Sequence, residues 1–333
     1  MLTTTSSQPS TKTRQKFHLF ALIQKSFAIN PLLTLVGMAH VLVLIAALIG
    51  IVIDHRIITG VPAWVKPAKF AISITIYTFT LLWFLSFIKG HRRLVGMVAY
   101  VVAIVMIIEM TIIVTQVIRG TTSHFNVSTP LDSTLYSIMG SSIVLLFVIN
   151  LIVAVLLLLQ RLPDPIIAWS LRLGILLMIV GMGVAFLMTT HPTAEQMAAI
   201  HAGMRVTAIG GHTVGLADGG PGLPFLGWST VGGDLRIPHF VGLHALQVLP
   251  LLGWLLTRRR FNMLGTGHRV ALIWTFGASY LGLIGLLTWQ ALRAQSIIAP
   301  DASTLQAFAA LLSVTALAII LIATHARMNT RQA

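Results

Sequence analysis

Cysteine is missing from the chain altogether, which excludes disulfides, thiolate metal sites and cysteine nucleophiles. Charge is scarce as well. Only 9% of residues are Asp, Glu, Lys or Arg, where a soluble domain carries roughly 25%. No G-x-x-x-x-G-K-[ST] pattern occurs, so a nucleotide-cradling P-loop is not expected. A cleavable signal peptide is not expected either: the first apolar run starts late and no small-residue cleavage site precedes a soluble region. What remains is apolar. With 56% hydrophobic residues and a mean hydropathy of +0.90, the chain reads as an integral membrane protein.

Eight apolar runs lie near the ~20 residues needed to cross a bilayer: Pro31–Ile53, Pro67–Ile88, Leu94–Ile118, Leu135–Leu159, Ile166–Met188, Pro238–Leu256, Val270–Leu292 and Thr304–Thr324. Charged or turn-forming segments separate them, such as 89–93, 161–165 and 258–260. Only helices and closed barrels satisfy their backbone inside lipid, and these runs have helical length. The expected fold is an all-α bundle of eight transmembrane helices. Residues 1–30 read as a tail, with Lys16 to Ala28 as an interfacial helix or an extension of the first span. Residues 31–325 form the membrane domain with a long loop at 190–237, and 326–333 a second tail.

The net charge of +14 is a matter of topology. With the N-terminus cytoplasmic, 15 of the 22 Lys and Arg fall on the cytoplasmic side, as the positive-inside rule requires. Both termini are then cytoplasmic, in a bacterial inner membrane, and nucleic acid is not an expected partner. Six of the eight acids fall on the other side, together with the three polar-rich loops. The functional face is therefore expected to be periplasmic or external.

The stretch from Gly210 to Gln247 stands out. It is glycine-rich, so its backbone can approach other groups closely and adopt positive φ. It also carries His212, Asp218, Asp234, Arg236, His239, His244 and Gln247. His244 and Gln247 are three residues apart and share a helix face. His239 and His244 do not, so they form no H-x-x-x-H chelate.

Other candidates lie elsewhere. Lys69 falls in the first turn of the second span, where the helix dipole disfavours a cation; it points to an anionic partner or snorkels to the interface. Glu109 lies inside the third span with Gln116 on the same face, and such an acid turns inward toward a partner or pathway. Arg119 and His124 suit an anion clamp or a metal. Ser123 beside His124 is a weak nucleophile–base signal, and Asn126-Val-Ser128 a weak glycosylation sequon. Thr193 with Gln196 fits a capping box that opens a short helix over Ala194–Met204, with His201 exposed on it. His40 lies at the depth of Glu109 and His244, so His40, Glu109, His244 and Gln247 are candidates to converge. Gly181, Gly183, Gly277, Gly282 and Gly285 read as helix-packing positions.

Two resemblances rest on these segments. Lys66-Pro-Ala-Lys-Phe70, the segment Arg119 to Asn126, and Gly233-Asp-Leu-Arg236 through His239 to Gln247 resemble a group of uncharacterised bacterial multi-pass membrane proteins. Arg205-Val-Thr207, Gly215-Leu-Ala-Asp218, Gly227-Trp228 and His239 or His244 are similar to heme A synthase. The latter likeness implies eight spans with both ends cytoplasmic, and histidine ligands near the outer side.

The leading expectation is a membrane oxidoreductase module linked to heme or a quinone. His244 serves as ligand or proton partner, with His40 or His124 as second ligand. Lys69, Arg119 and Arg236 hold propionates or a polar head, and Glu109 handles protons. One alternative is a metal-dependent membrane hydrolase or oxygenase. It would bind a divalent ion through His124, His212, Asp218 and His239, with Asp234 available as a base. Another is a proton- or anion-coupled transporter or sensor using Glu109 and Lys69. All three readings expect Lys69, Glu109, Arg119, His124, Arg236, His239 and His244 to line one cavity.

Overall fold

A computed structural model describes residues 19–190, 193–261 and 263–332. Eight of its helices are long and apolar enough to cross a membrane. They are α2 (Pro31–Ile53), α3 (Val65–Leu85), α4 (Arg92–Ile118), α5 (Pro130–Leu159), α6 (Pro165–Thr190), α8 (Arg236–Leu256), α9 (Thr266–Leu292) and α10 (Ala302–Gln332). Among the described residues there are also two short α-helices, α1 (Leu19–Ile29) and α7 (Ala194–His201), and a 3-10 turn at Arg259–Phe261. The all-α expectation holds, apart from four two-residue strands in the loops: β1 (Ile57–Ile58), β2 (Val61–Pro62), β3 (Thr213–Val214) and β4 (Gly233–Asp234). The N-terminal tail and His191 lie outside the described residues.

Helix ends follow local chemistry. Asn30 caps α2 by accepting from Leu33 N at 2.9 Å, with Pro31 at the first helical position. Asn30 itself is extended, so α1 is a separate helix and not a continuation of the first span. Thr129 caps α5 by accepting from Asp132 N, which starts that helix at Pro130, five residues before Leu135. Asp164 accepts from Ile166 N and Ile167 N at 2.8 and 3.3 Å and opens α6. The second span ends at Leu85 instead of Ile88, because Phe87 N and Ile88 N bond three residues back, to Phe84 O and Leu85 O. Residues 326–332, read as a tail, continue α10. Thr193 and Gln196 form the expected capping box of α7, and His201 is exposed there.

The packing joins two helix groups. In one, α2 lies against α3, and α4 packs on both. In the other, α6 lies along α8, α9 packs on both, and α10 packs on α9. The connection runs α4 to α5 to α6. Large apolar side chains stay exposed around the outside, among them Leu42, Val52, Val155 and Leu317; a lipid surround satisfies them. One end of the bundle, the loop-rich end, carries the long segments 54–64, 119–129, 193–235 and 293–301.

The closest helix contact is between α6 and α8. A Cβ added to Gly181 would stand 2.6 Å from Gly242 Cα, so the two backbones touch through glycine alone. Gly277 and Gly282 likewise receive Leu173 and Leu311. Gly183 and Gly285, expected to pack, face open space. Gly242→Val should therefore lower thermal stability by about 1–3 kcal/mol or more through overpacking. Gly183→Ala, on the same helix as Gly181, should leave it nearly unchanged. Unfolding curves in detergent check both.

Candidate functional site

The glycine-rich loop folds back over the end of the bundle. Gly211 N donates to Met188 O at 3.0 Å, tying the loop to α6. Ile209 N donates to Phe125 O and Val127 N to Thr207 O, both at 2.9 Å, sewing it to segment 119–129. Gln196 of α7 exchanges two hydrogen bonds with the backbone of Gly210. β3 pairs with β4, Thr213 opposite Asp234. Gly227 carries φ +65° and lies between two cations: a Cβ on it would be 3.9 Å from both Arg236 Nη1 and Lys69 Nζ. Lys69 Nζ donates to Leu226 O at 2.9 Å and Arg236 Nη2 to Gly227 O at 2.5 Å. The loop carbonyls thus latch onto α3 and α8.

Beneath this loop three histidines gather. The His124 ring lies 5.5 Å from Phe70 and 6.4 Å from His212, centre to centre. His212 lies 4.9 Å from Phe125, which lies 5.7 Å from Tyr136. His239 belongs to the same neighbourhood, since its charge and that of Lys66 act on His124. Phe125 holds a φ of +61°, costly for a bulky side chain. The conformation offers its carbonyl to the loop and its ring to the histidines.

Each of the three imidazoles has Nδ1 engaged. His239 Nδ1 donates to Gly181 O at 2.8 Å, and His212 Nδ1 to Asp218 Oδ2 at 2.5 Å. His124 Nδ1 meets Ser123 Oγ at 3.0 Å. A carbonyl only accepts, so His239 carries its proton on Nδ1, and its Nε2 is a bare lone pair when the ring is neutral. The carboxylate of Asp218 imposes the same tautomer on His212. No Nε2 of the three has a hydrogen-bond partner among the described residues. Lys66 stands beside them, and its ammonium forms no hydrogen bond or ion pair there. Sequence reasoning missed Lys66. Its signal was the three-residue spacing to Lys69, which puts both cations on one face.

The electrostatics favour neutral rings. Burial, reinforced by the nearby Lys66 charge, holds His124 well below the usual imidazole range. Burial lowers His212 too, against the pull of Asp218. Burial opposes the charge on Asp218, but hydrogen bonds from the His212 ring and from the backbone N–H groups of His212 and Thr213 keep it ionised.

Several expected members are elsewhere. Arg119 is spent on structure: its Nη1 donates to Gln116 Oε1 at 2.5 Å and to Asp132 Oδ1 at 2.6 Å, closing the start of α5. Asp234 is buried and forks onto Arg236 at 2.9 and 2.5 Å while accepting from Ser229 N. Asn126 turns inward onto Thr121, Thr122 and Ser128, a folded turn. His244 Nδ1 donates to Gln247 Oε1 at 3.1 Å, and Gln247 Nε2 donates to Thr80 Oγ1 of α3 at 3.2 Å. His40 lies on α2. The contact of α2 with α3 runs through Gly37 and Thr78, and Thr78 and Thr80 are roughly 200° apart around the helix. His40 and His244 are therefore on different sides of α3 and do not converge. Of the residues expected to line one cavity, Lys69, Arg236 and Glu109 lie within reach of Lys66, and His124 within reach of Lys66 and His239, while Arg119 and His244 are engaged elsewhere. Among the described residues, no group of three or more His, Asp or Glu is arranged to hold a metal ion, so His124, His212, Asp218 and His239 do not form the expected chelate.

A pH dependence follows. A histidine whose folded pKa lies below its ordinary value of 6.5 binds its proton more readily unfolded, so stability rises with pH in that window. Acidifying from pH 7.5 to 5.5 should lower the unfolding temperature, and His124→Gln with His212→Gln should flatten part of that slope. A scan of unfolding temperature against pH reads both. Compared with known proteins, the chain matches no family model, no curated protein and no solved structure, and the residues of this cluster carry the functional reading.

Proposed function

We propose that the chain is a quinone-linked membrane oxidoreductase module that binds the head of a quinol beneath the glycine-rich loop. The observation that carries this reading is the set of three imidazoles on His124, His212 and His239. Their Nδ1 atoms are fixed and their Nε2 atoms are open, beside an unbonded Lys66. The bare Nε2 atoms of His212 and His239 accept protons, while His124, whose Nδ1 faces a hydroxyl that can donate or accept, presents Nε2 as either donor or acceptor. They suit a ligand that presents hydroxyls, as a quinol does, and can take up a proton as such a hydroxyl ionises; the two electrons of quinol oxidation would pass to a partner redox protein. The Lys66 ammonium suits the phenolate that forms as the first proton leaves. Phe70, Phe125 and Tyr136 supply aromatic surface for a flat ring.

Heme is the weaker form of the same reading. A heme iron with two histidines takes them from opposite faces. Here the three open imidazoles share one end of the bundle, while His40 and His244 lie elsewhere. The concentration of Lys and Arg at the other end favours a site opening on the outer side of a bacterial cytoplasmic membrane.

Two measurements test this. Titration of the purified protein in lipid nanodiscs with a short-chain quinol, followed by tryptophan fluorescence, should give saturable binding. His239→Ala or Lys66→Met should weaken it at least tenfold, about 1.4 kcal/mol. A Soret band in the pure protein would select heme instead, and absence of both binding and any optical signal would end the redox reading. For orientation, the cysteine-free chain allows single labels: Met204→Cys should react with an impermeant maleimide in intact cells, and Arg259→Cys only after permeabilisation.

A further inference from the structure

A second polar group lies inside the bundle, apart from the histidine cluster. Six buried side-chain atoms among the described residues lack a hydrogen-bond partner. Five of them belong to one seam: His40 Nε2 on α2, Thr75 Oγ1 and Thr78 Oγ1 on α3, and both carboxyl oxygens of Glu109 on α4. The three helices pack on one another. Glu109 is 2% exposed, His40 3% and Thr78 0%.

Contacts fix the placement. A Cβ on Gly37 would meet Thr78 Cγ2 at 3.0 Å, and His40 is about one helical turn, ~4.5 Å, further along α2. The backbone of Met106 on α4 lies next to the His40 ring, and Glu109 is about one turn, ~4.5 Å, beyond Met106. His40 Nδ1 donates to Val36 O at 2.7 Å, so a neutral His40 directs a bare Nε2 lone pair into the seam. The two threonines behave unusually. Thr34, Thr80, Thr275, Thr288 and Thr315 all donate back to the carbonyl four residues earlier, the usual resort of a hydroxyl in an apolar helix. Thr75 and Thr78 do not.

Each buried polar atom without a partner costs about 1–3 kcal/mol, and five gathered in one seam are the polar partners that buried water requires. A carboxyl in that setting needs its proton or a cation beside it. Lys66 is the charged group that acts on Glu109, from the loop-rich end of α3. The remaining titratable residues of these helices are Lys69 and Tyr77 on α3, and Arg92, Arg93 and Tyr100 on α4. Lys69 and Tyr77 are bonded to Leu226 O and Asn150. Arg92, Arg93 and Tyr100 lie about 13 Å or more along the axis from Glu109, at least two turns away by helix rise (~1.5 Å per residue).

We propose that this seam is a buried, hydrated proton-exchange site. The Glu109 O–H bond breaks toward a water held by the Thr75 and Thr78 hydroxyls, and that water gives a proton to His40 Nε2. No electrons move, and the proton returns by the same path. The proposal is independent of the quinol reading, because none of its four residues belongs to the histidine cluster.

Infrared spectroscopy of the full chain in lipid tests it. The spectrum should contain a protonated-carboxyl C=O band that shifts in D2O and is lost in Glu109→Gln. Thr78→Val and His40→Leu should keep the band but slow its exchange at least tenfold, with Ser137→Ala, an exposed position on α5, as an exchange control. A Glu109→Asp variant, moving the band without removing it, keeps the assignment open to test should Glu109→Gln not fold. No band assignable to residue 109, or equal exchange rates in the parent, Thr78→Val and His40→Leu, would overturn the proposal. The quinol titration above would be unaffected by either result.

Discussion

In an apolar surround, a polar atom is satisfied inside the protein, by another protein group or by trapped water, or not at all. That constraint sorts the polar residues of this chain. Arg119 with Gln116 and Asp132, and Arg236 with Asp234, are closed sets in which ionic side chains satisfy one another and fasten helix ends. Tyr77 and Asn150 do the same across α3 and α5. Against that background, the open Nε2 atoms beneath the loop and the unpartnered seam around Glu109 stand out as places where the protein leaves polar capacity in reserve.

The architecture was legible because length and hydropathy alone decide it. A run of some twenty apolar residues has few alternatives to a membrane helix, and cap residues such as Asn30, Asp164 and Thr193 mark their own helix starts. Boundaries went astray where polar residues continue a helix, as Asp132 does in α5, or where apolar residues leave one, as Phe87 does after α3.

The site was legible by residue type and not by arrangement. A helix that is apolar nearly all round does not declare which face meets which neighbour, so depth could be counted from the span ends while azimuth could not. His40 and His244 were placed at one depth, but α3 stands between them. Arg119 reads in the sequence as an anion clamp because its partners, a glutamine on its own helix and an aspartate beyond the next turn, do not declare themselves. Lys66 passed unnoticed beside Lys69, although the fold leaves it, and not Lys69, without a hydrogen bond. The strained backbone of Phe125, which joins the two loops above the histidines, had no signature in the sequence.

The carbonyl of Gly181 has two neighbours of different kinds. Its own residue touches Gly242 where α6 and α8 cross, and its oxygen holds the His239 ring. The imidazole is therefore aimed by the helix crossing itself. A molecule that gripped His239 tightly in this orientation would also hold α6 against α8, and by thermodynamic linkage occupancy would register as stiffness of the whole crossing. Conversely, a bilayer thickness or lipid composition that splays these two helices would turn the ring away and weaken the grip, making the membrane a silent regulator of the site.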